Sequence, residues 1–298
     1  MNISKNLKYF FILPALLSIA AIAAIALWGL KPGIDLAGGS LLQVTYPNGR
    51  PAVEQVHTAV APLNFGEVRV QPTGASGYIL RQRDLGNDER NTFLQALGNL
   101  GEVKEDQFES IGPSIGAELL NKAWIAIVLI TISIILFIAF AFRGVSKPVS
   151  SWKYGIVAIA TLLHDILVPV GLFALLGHVV GAEVDSLFIV ALLTILGISI
   201  NDTIVVFDRI RENLRLNEEH RKREEFSDVV SKSITQTITR SINTSVTVVI
   251  VLVALYVLGP VATKNFALTL IVGMLVGTYS SIFLASPLLV VWEKWSRK

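Results

Sequence analysis

An ionisable group inside an oily run is the first place to expect chemistry. From Ser186 to Phe207 the chain reads SLFIVALLTILGISINDTIVVF, with one carboxylate, Asp202, in otherwise apolar sequence. Hydrocarbon does not tolerate an ionised carboxylate alone, so such a residue must pair, face water or take up a proton. Desolvation and a nearby cation act on it in opposite senses. A carboxylate held between the two can exchange a proton as conformation or membrane field changes. Asn201 and Thr203 beside it add hydrogen-bonding capacity. The alternative is a carboxylate locked in a permanent interhelical ion pair.

Arg240 is the expected partner of Asp202. It lies in SITQTITRSINTSVT, Ser233–Thr247, where helical spacing sets Gln236, Arg240, Asn243, Thr244 and Thr247 on one face. Its long side chain can snorkel to the membrane edge or reach inward toward the depth of Asp202. The competing reading of Arg240 is a plain positive anchor. A polar face has no use toward lipid, so this one is expected to line a helix interface or a wet cavity. His164 and Asp165 stand side by side near the middle of a further apolar run. Adjacent helical residues lie ~100° apart, so the two need not point the same way. They read either as a further relay step or as a buried pair that positions helices. Gly273 and Gly277 form a small-xxx-small pair suited to close helix packing.

Other chemistries are missing from the chain. It has no cysteine, and its four histidines lack metal-ligand spacing. There is no Gly-rich phosphate loop, no Gly-x-Ser-x-Gly elbow and no metal-binding helix. The expectation is a protein that is not an enzyme, with no metal or cofactor and with protons as the coupling ion. A net charge of +2 suggests no nucleic-acid partner.

The elements that must position these residues are membrane helices. Hydrophobic residues make up 52% of the 298, and mean hydropathy is +0.61. Six apolar spans are expected, at about Tyr9–Leu30, Trp124–Phe142, Tyr154–Val180, Ser186–Phe207, Ser241–Leu258 and Phe266–Val291. The first follows Lys5 and Lys8 and reads as a retained anchor, since its apolar run is longer than a typical signal core. Lys and Arg concentrate after the second span (Arg143, Lys147, Lys153), after the fourth, and at the C-terminus (Lys294, Arg297, Lys298). By the positive-inside rule both termini lie in the cytoplasm. The loop 208–240 holds eight basic and seven acidic residues and reads as a solvated, salt-bridged cytoplasmic helix.

The domains expected are therefore a first span in 1–30, an extracytoplasmic domain in 31–123 and a five-helix bundle in 124–298. The outside segment reads strand (Ser40–Tyr46), helix (Pro51–Leu63), strand (Glu67–Gln71), strand (Gly77–Gln82), helix (Asp88–Leu100), strand (Val103–Ser110). That βαββαβ order predicts a ferredoxin-like α+β domain. The fold class is then an all-α bundle of six transmembrane helices carrying one such domain. Ile111–Leu120, IGPSIGAELL, reads either as a hinge-like entry to the second span or as an ordinary turn.

Several stretches together resemble a known family. They are GIDLAGGS (Gly33–Ser40), IGPSIGAEL (Ile111–Leu119), the His164-Asp165 pair, GISINDTIVVFDRIRENLR (Gly197–Arg215), SITQTITRSINTSVT (Ser233–Thr247) and FALTLIVGMLVGTYSSIFLASPLL (Phe266–Leu289). The chain resembles, over nearly its whole length, the SecF side of the SecD/SecF protein-export family, itself similar to proton-driven RND exporters. The family often has an aromatic where this chain has Leu36 and Ile198. The resemblance implies a heterodimer with SecD that works with the SecYEG translocon, with YajC as a further partner. It would use the proton gradient of the bacterial cytoplasmic membrane to pull unfolded preproteins outward. The family's key intramembrane acid falls on Asp202 and its key arginine on Arg240. Two other classes stay open: half of an RND-type small-molecule or lipid exporter, and a non-conducting translocase scaffold.

Overall fold

A computed structural model describes residues 9–141, 150–221 and 224–296. Lys5, Lys8, Arg143, Lys147, Arg297 and Lys298, named above, lie outside them, as do Lys222 and Arg223 of the 208–240 segment. The chain divides into two compact units. A helical unit comprises Met1–Leu30, Ala126–Ala182 and Leu187–Lys298, and a sheet unit comprises Lys31–Ile125 with Glu183–Ser186.

The elements of the sheet unit, in chain order, begin with a single helical turn, α2 (Ile34–Ala37), after the membrane helix α1 (Ile12–Trp28). Then come β1 (Gly39–Thr45), α3 (Val53–Val60), β2 (Arg69–Thr73), β3 (Gly77–Gln82), α4 (Asn87–Gly98) and β4 (Lys104–Ile111). All pairings are antiparallel, in the order β2-β3-β1-β4. Leu42 faces Leu80, and Val44 faces Tyr78. Strand side chains alternate between faces, so Leu42, Val44 and Tyr46 share one side. There they meet Val56 and Val60 of α3 and Phe93 and Leu97 of α4, all buried. At ~1.5–3 kcal/mol for each large apolar side chain, this cluster stabilises the unit. The one proline in the sheet, Pro72, sits on edge strand β2, where a missing N–H is tolerated. Glu89 reaches back to the Gly86 N–H (3.2 Å) at the start of α4. It is also clamped by Arg83, whose hydrogen bond holds this carboxyl below its usual range.

Five described helices are long and apolar enough to cross a membrane. They begin with α5 (Pro113–Ala141), α6 (Ser151–Val179), α7 (Ser186–Glu219) and α8 (Phe226–Leu258). The fifth runs Val261–Ser296 as α9 (Val261–Ser280), a π-helical turn (Ser281–Ala285) and α10 (Ser286–Ser296). The sixth apolar helix, α1, has 17 described residues, about 26 Å at ~1.5 Å per residue.

One local expectation needs correction. Ile111–Leu120 is not a hinge-like turn: α5 starts at Pro113 and continues through it. Proline suits the first helical position, where its missing N–H has no partner to lose. The polar stretch before Ser241 is helix as expected, and α8 begins at Phe226. Its Ser and Thr hydroxyls fold back onto carbonyls one turn earlier, as Ser233 does to Val229 (2.8 Å) and Thr237 to Ser233 (3.0 Å). The stretch after Phe207 is helical as expected, and is laced by Arg209–Glu212 and Arg215–Glu219.

Candidate functional site: a polar seam in the helical unit

Asp202 is presented by α7 and is half-buried. Its Oδ1 accepts a hydrogen bond from the Ser241 hydroxyl of α8 at 3.2 Å. It borders a narrow crevice with Ile198, Ser199, Met274, Gly277 and Thr278, where α7 meets α9. The closeness of that crossing follows from the glycine pair: a side chain at Gly273 would overlap Ile195, and one at Gly277 would press on Ser199. Arg240 lies exposed on α8, one residue before Ser241. It attracts the Asp202 carboxylate through space. No contact ion pair links the two among the described residues, so the permanently locked bridge is not what the chain builds.

The other predicted residues fall into three groups. Thr203 is buried and shares a hydrogen bond with Ser281 of the π-turn (3.1 Å). Gln236 instead accepts from Arg209 (2.7 Å) and Asn213 (2.8 Å), in a cluster of its own between α7 and α8. Asn201, Asn243 and Thr244 are exposed on the helical unit, as are Gln236 and Thr247. The polar stripe of α8 therefore lies on the outer surface of this chain.

His164 and Asp165 do point apart. His164 sits between Ser18 of α1 (Nδ1, 2.8 Å) and the Tyr279 hydroxyl of α9 (Nε2, 2.7 Å). Asp165 is fully buried; its Oδ2 accepts from Ser280 (2.9 Å) and from Ser199. Its Oδ1 has no hydrogen-bond partner among the described residues. Ser199 thus touches Asp165 and also lines the crevice of Asp202. A further hydroxyl contact, Ser245 with Thr278, joins α8 to α9.

Sequence reasoning gives no polar contact to Ser199, Ser241, Ser245, Ser280 or Tyr279. A signal was present for α8: Ser233, Thr237, Ser241 and Ser245 recur every fourth residue, and all four are buried. That small-hydroxyl stripe, one helical face from Arg240, is the one that packs inward. Chemically, the seam offers two carboxyls and one imidazole joined by hydroxyls that can both donate and accept. No described cluster of His, Asp and Glu could hold a metal ion.

Comparison with known proteins bears on what this seam serves. A family model described as "Protein export membrane protein SecD/SecF, C-terminal" matches residues 92–295. A "Protein translocase subunit SecF" of Thermobaculum terrenum is 43% identical over 298 residues, covering 95% of this chain and 91% of that one. One of the same name from Anaerolinea thermophila is 37% identical over 297 residues, covering 98% and 94%. Among solved structures, the crystal structure of SecDF, a translocon-associated membrane protein from Thermus thermophilus, matches with a TM-score of 0.85 at 31% identity. That match covers 99% of this chain and 39% of the SecDF chain. A SecDF in a super-membrane-facing form matches at 0.70, with 31% identity and coverage of 100% and 39%.

Proposed function

Because this chain belongs to the SecD/SecF family of protein export membrane proteins, and resembles its SecF members almost end to end, we propose that it is the SecF half of a proton-driven export motor. It is a subunit of the Sec export machinery and a membrane protein of the bacterial inner membrane, with a transport rather than a catalytic role. Its partner in this reading is a SecD, supported by the likeness to 39% of a chain named SecDF. SecYEG and YajC are further partners in this reading, and the cargo is an unfolded preprotein. No cofactor takes part, and protons are the coupling ion.

The finer architecture belongs to the same proposal. Six spans cross the membrane, α1 included, with both termini in the cytoplasm. The sheet unit is a ferredoxin-like extracytoplasmic domain over about 31–123, a reading supported by its strand order β2-β3-β1-β4.

One observation carries the mechanism: Asp202 has a hydroxyl partner at 3.2 Å and an attracting guanidinium that does not touch it. An attraction across a gap responds steeply to whether the carboxyl is charged, since unit charges a few Å apart interact by several kcal/mol where water is scarce. Protonation of Asp202 releases Arg240, α7 and α8 shift, and the sheet unit changes its hold on the preprotein. Asn201, Thr203, Gln236, Asn243 and Thr244 help conduct or orient the proton, with His164 and Asp165 as a second station. Each proton descending ~100 mV supplies ~2.3 kcal/mol, enough to bias a small two-state change.

The test is Asp202→Asn in the complex with SecD, reconstituted with the translocase in vesicles. Gradient-stimulated preprotein release should fall to the unstimulated level. Unimpaired stimulation would refute the coupling role, and a wild-type complex that conducts no protons would favour the scaffold.

A further inference from the structure

The run GIDLAGGS carries no nucleotide fingerprint, and the seam does not use it. In the sheet unit it sits where three strands of traffic meet. Pro32 forms a parallel bridge with Val184 in the short loop between α6 and α7. The Gly33 N–H donates to the Val184 carbonyl (2.8 Å), and the Val184 N–H to the Lys31 carbonyl (2.9 Å). Asp35 then reaches Ser186, the first residue of α7. Its Oδ2 accepts from the Ser186 N–H (3.1 Å) and from the Ser186 hydroxyl. A carboxylate there satisfies an orphan amide and meets the positive end of the helix dipole.

On its far side the same run holds the start of α5. Gly38 has a φ of +78°, and a Cβ there would lie 2.7 Å from Pro113 Cα. A Cβ on Gly116 would lie 2.7 Å from the Gly38 nitrogen. Beyond Gly38 the run becomes β1, the strand flanked by both β3 and β4. The loop before α7 is pinned to that sheet as well, through Glu183 to Arg81 of β3 (2.9 Å).

We propose that Lys31–Gly39 is a collar that converts movement of α7 into movement of the sheet, with Asp35 as its positioning residue. The proposal rests on the motor reading above. Asp202 rides on α7, the helix whose first turn Asp35 holds, so a shift of that helix pulls directly on the strand at the middle of the sheet. Asp35 touches neither proton nor preprotein; it keeps the two ends of the lever joined.

Two measurements test this. The first is amide hydrogen exchange of the full chain in mild detergent. Asp35→Ala should speed exchange at Ser186 and the following turn by about fivefold or more, the scale of a lost helix cap, and Asp35→Asn, which keeps an acceptor oxygen, should largely restore protection. Unchanged exchange in Asp35→Ala overturns the collar whatever the motor does. The second uses the reconstituted complex with SecD and the translocase. Asp35→Ala should lose most gradient-stimulated preprotein release while proton conduction stays within about twofold of wild type, the reach of a change worth under half a kcal/mol. Equal loss of conduction and release would mark a merely structural residue and overturn the proposal. If Asp35→Ala does not assemble, Asp35→Cys with Ser186→Cys supplies a reducible link in a chain that has no other cysteine. Stimulation should persist when that link is oxidised and fall when it is reduced; indifference to reduction overturns the collar. Absence of stimulation in the wild type sinks the motor reading instead, and exchange still decides the collar.

Discussion

Replacing Gly273 with alanine tests the seam's geometry. A Cβ at this position overlaps the Cδ1 and Cγ1 atoms of Ile195, and Cγ2 lies only 3.0 Å away. Ile195 is 1% exposed. Cγ1 is bonded directly to Cβ, so a rotamer change that clears one carbon brings in another, and α7 or α9 must move. Overpacking of this kind costs ~1–3 kcal/mol. Against it stands a gain of up to ~1 kcal/mol from the better helix propensity of alanine. The net effect is destabilising. At Gly277 the balance differs. The nearest atom is Ser199 Cβ at 3.1 Å, a few tenths of an ångström short of ordinary contact, so the propensity gain should nearly cancel the crowding. The assay is unfolding of the purified chain in mild detergent for Gly273→Ala, Gly277→Ala, Ile195→Ala and the Gly273→Ala/Ile195→Ala pair. Ile195→Ala alone should cost ~2–5 kcal/mol. The pair should cost less than the sum, with a coupling of ~0.5–3 kcal/mol, because one change makes the space the other needs. Strict additivity, or equal costs at 273 and 277, would refute the account of the crossing.

Ser199→Ala together with Ser280→Ala removes both hydroxyls that donate to Asp165. Each lost donor should cost ~1–3 kcal/mol in unfolding, and Asp165→Leu in the same background should recover part of it. Glu183, in the loop before α7, is pH-sensitive. Burial pushes its carboxyl up, with Arg81, Arg69 and Lys31 pulling the other way. A carboxyl raised on folding contributes stability below its unfolded value that is lost as pH rises through the folded one. Glu183→Gln should therefore be neutral or stabilising at pH 7–8 and less favourable near pH 4, read as the pH dependence of the unfolding midpoint. Tyr46, held at 1% exposure under Leu97 and beside Tyr78, has its phenol pushed up to about 12. Its contribution is complete below about pH 10 and lost toward pH 12, so Tyr46→Phe should flatten the alkaline fall in stability of the sheet unit, followed by near-ultraviolet dichroism.

Much of this was legible in the sequence because period and composition carry it. Gly77–Gln82 has the bounds expected of it, and the other strands and helices expected between 40 and 110 lie within about two residues of expectation, Leu63 apart, which falls in a 3-10 turn; the helical turn Ile34–Ala37 and the early start of α5 at Pro113 are not expected. Alternation at Leu42, Val44 and Tyr46 named the buried face of β1. Asp202 stood out because a lone carboxylate in oil is rare. What stayed hidden were partners chosen by tertiary contact. Nothing local says that Asp165 meets α7 at Ser199, beside Asp202, or that Asp35 belongs to Ser186, 151 residues away. Helical periodicity grouped Gln236, Arg240, Asn243 and Thr244 correctly as one stripe. It could not say which of two polar stripes on α8 turns inward, since small serines and large polar side chains both satisfy a 3.6-residue repeat.

The outward stripe of α8 has a further result. An isolated copy of this chain would leave Arg240, Asn243, Thr244 and Thr247 exposed along one side of α8. Lipid rewards none of them. That stripe makes a lone copy of this chain a poor solute in a bilayer, and any partner that covered it would stabilise the chain by mass action.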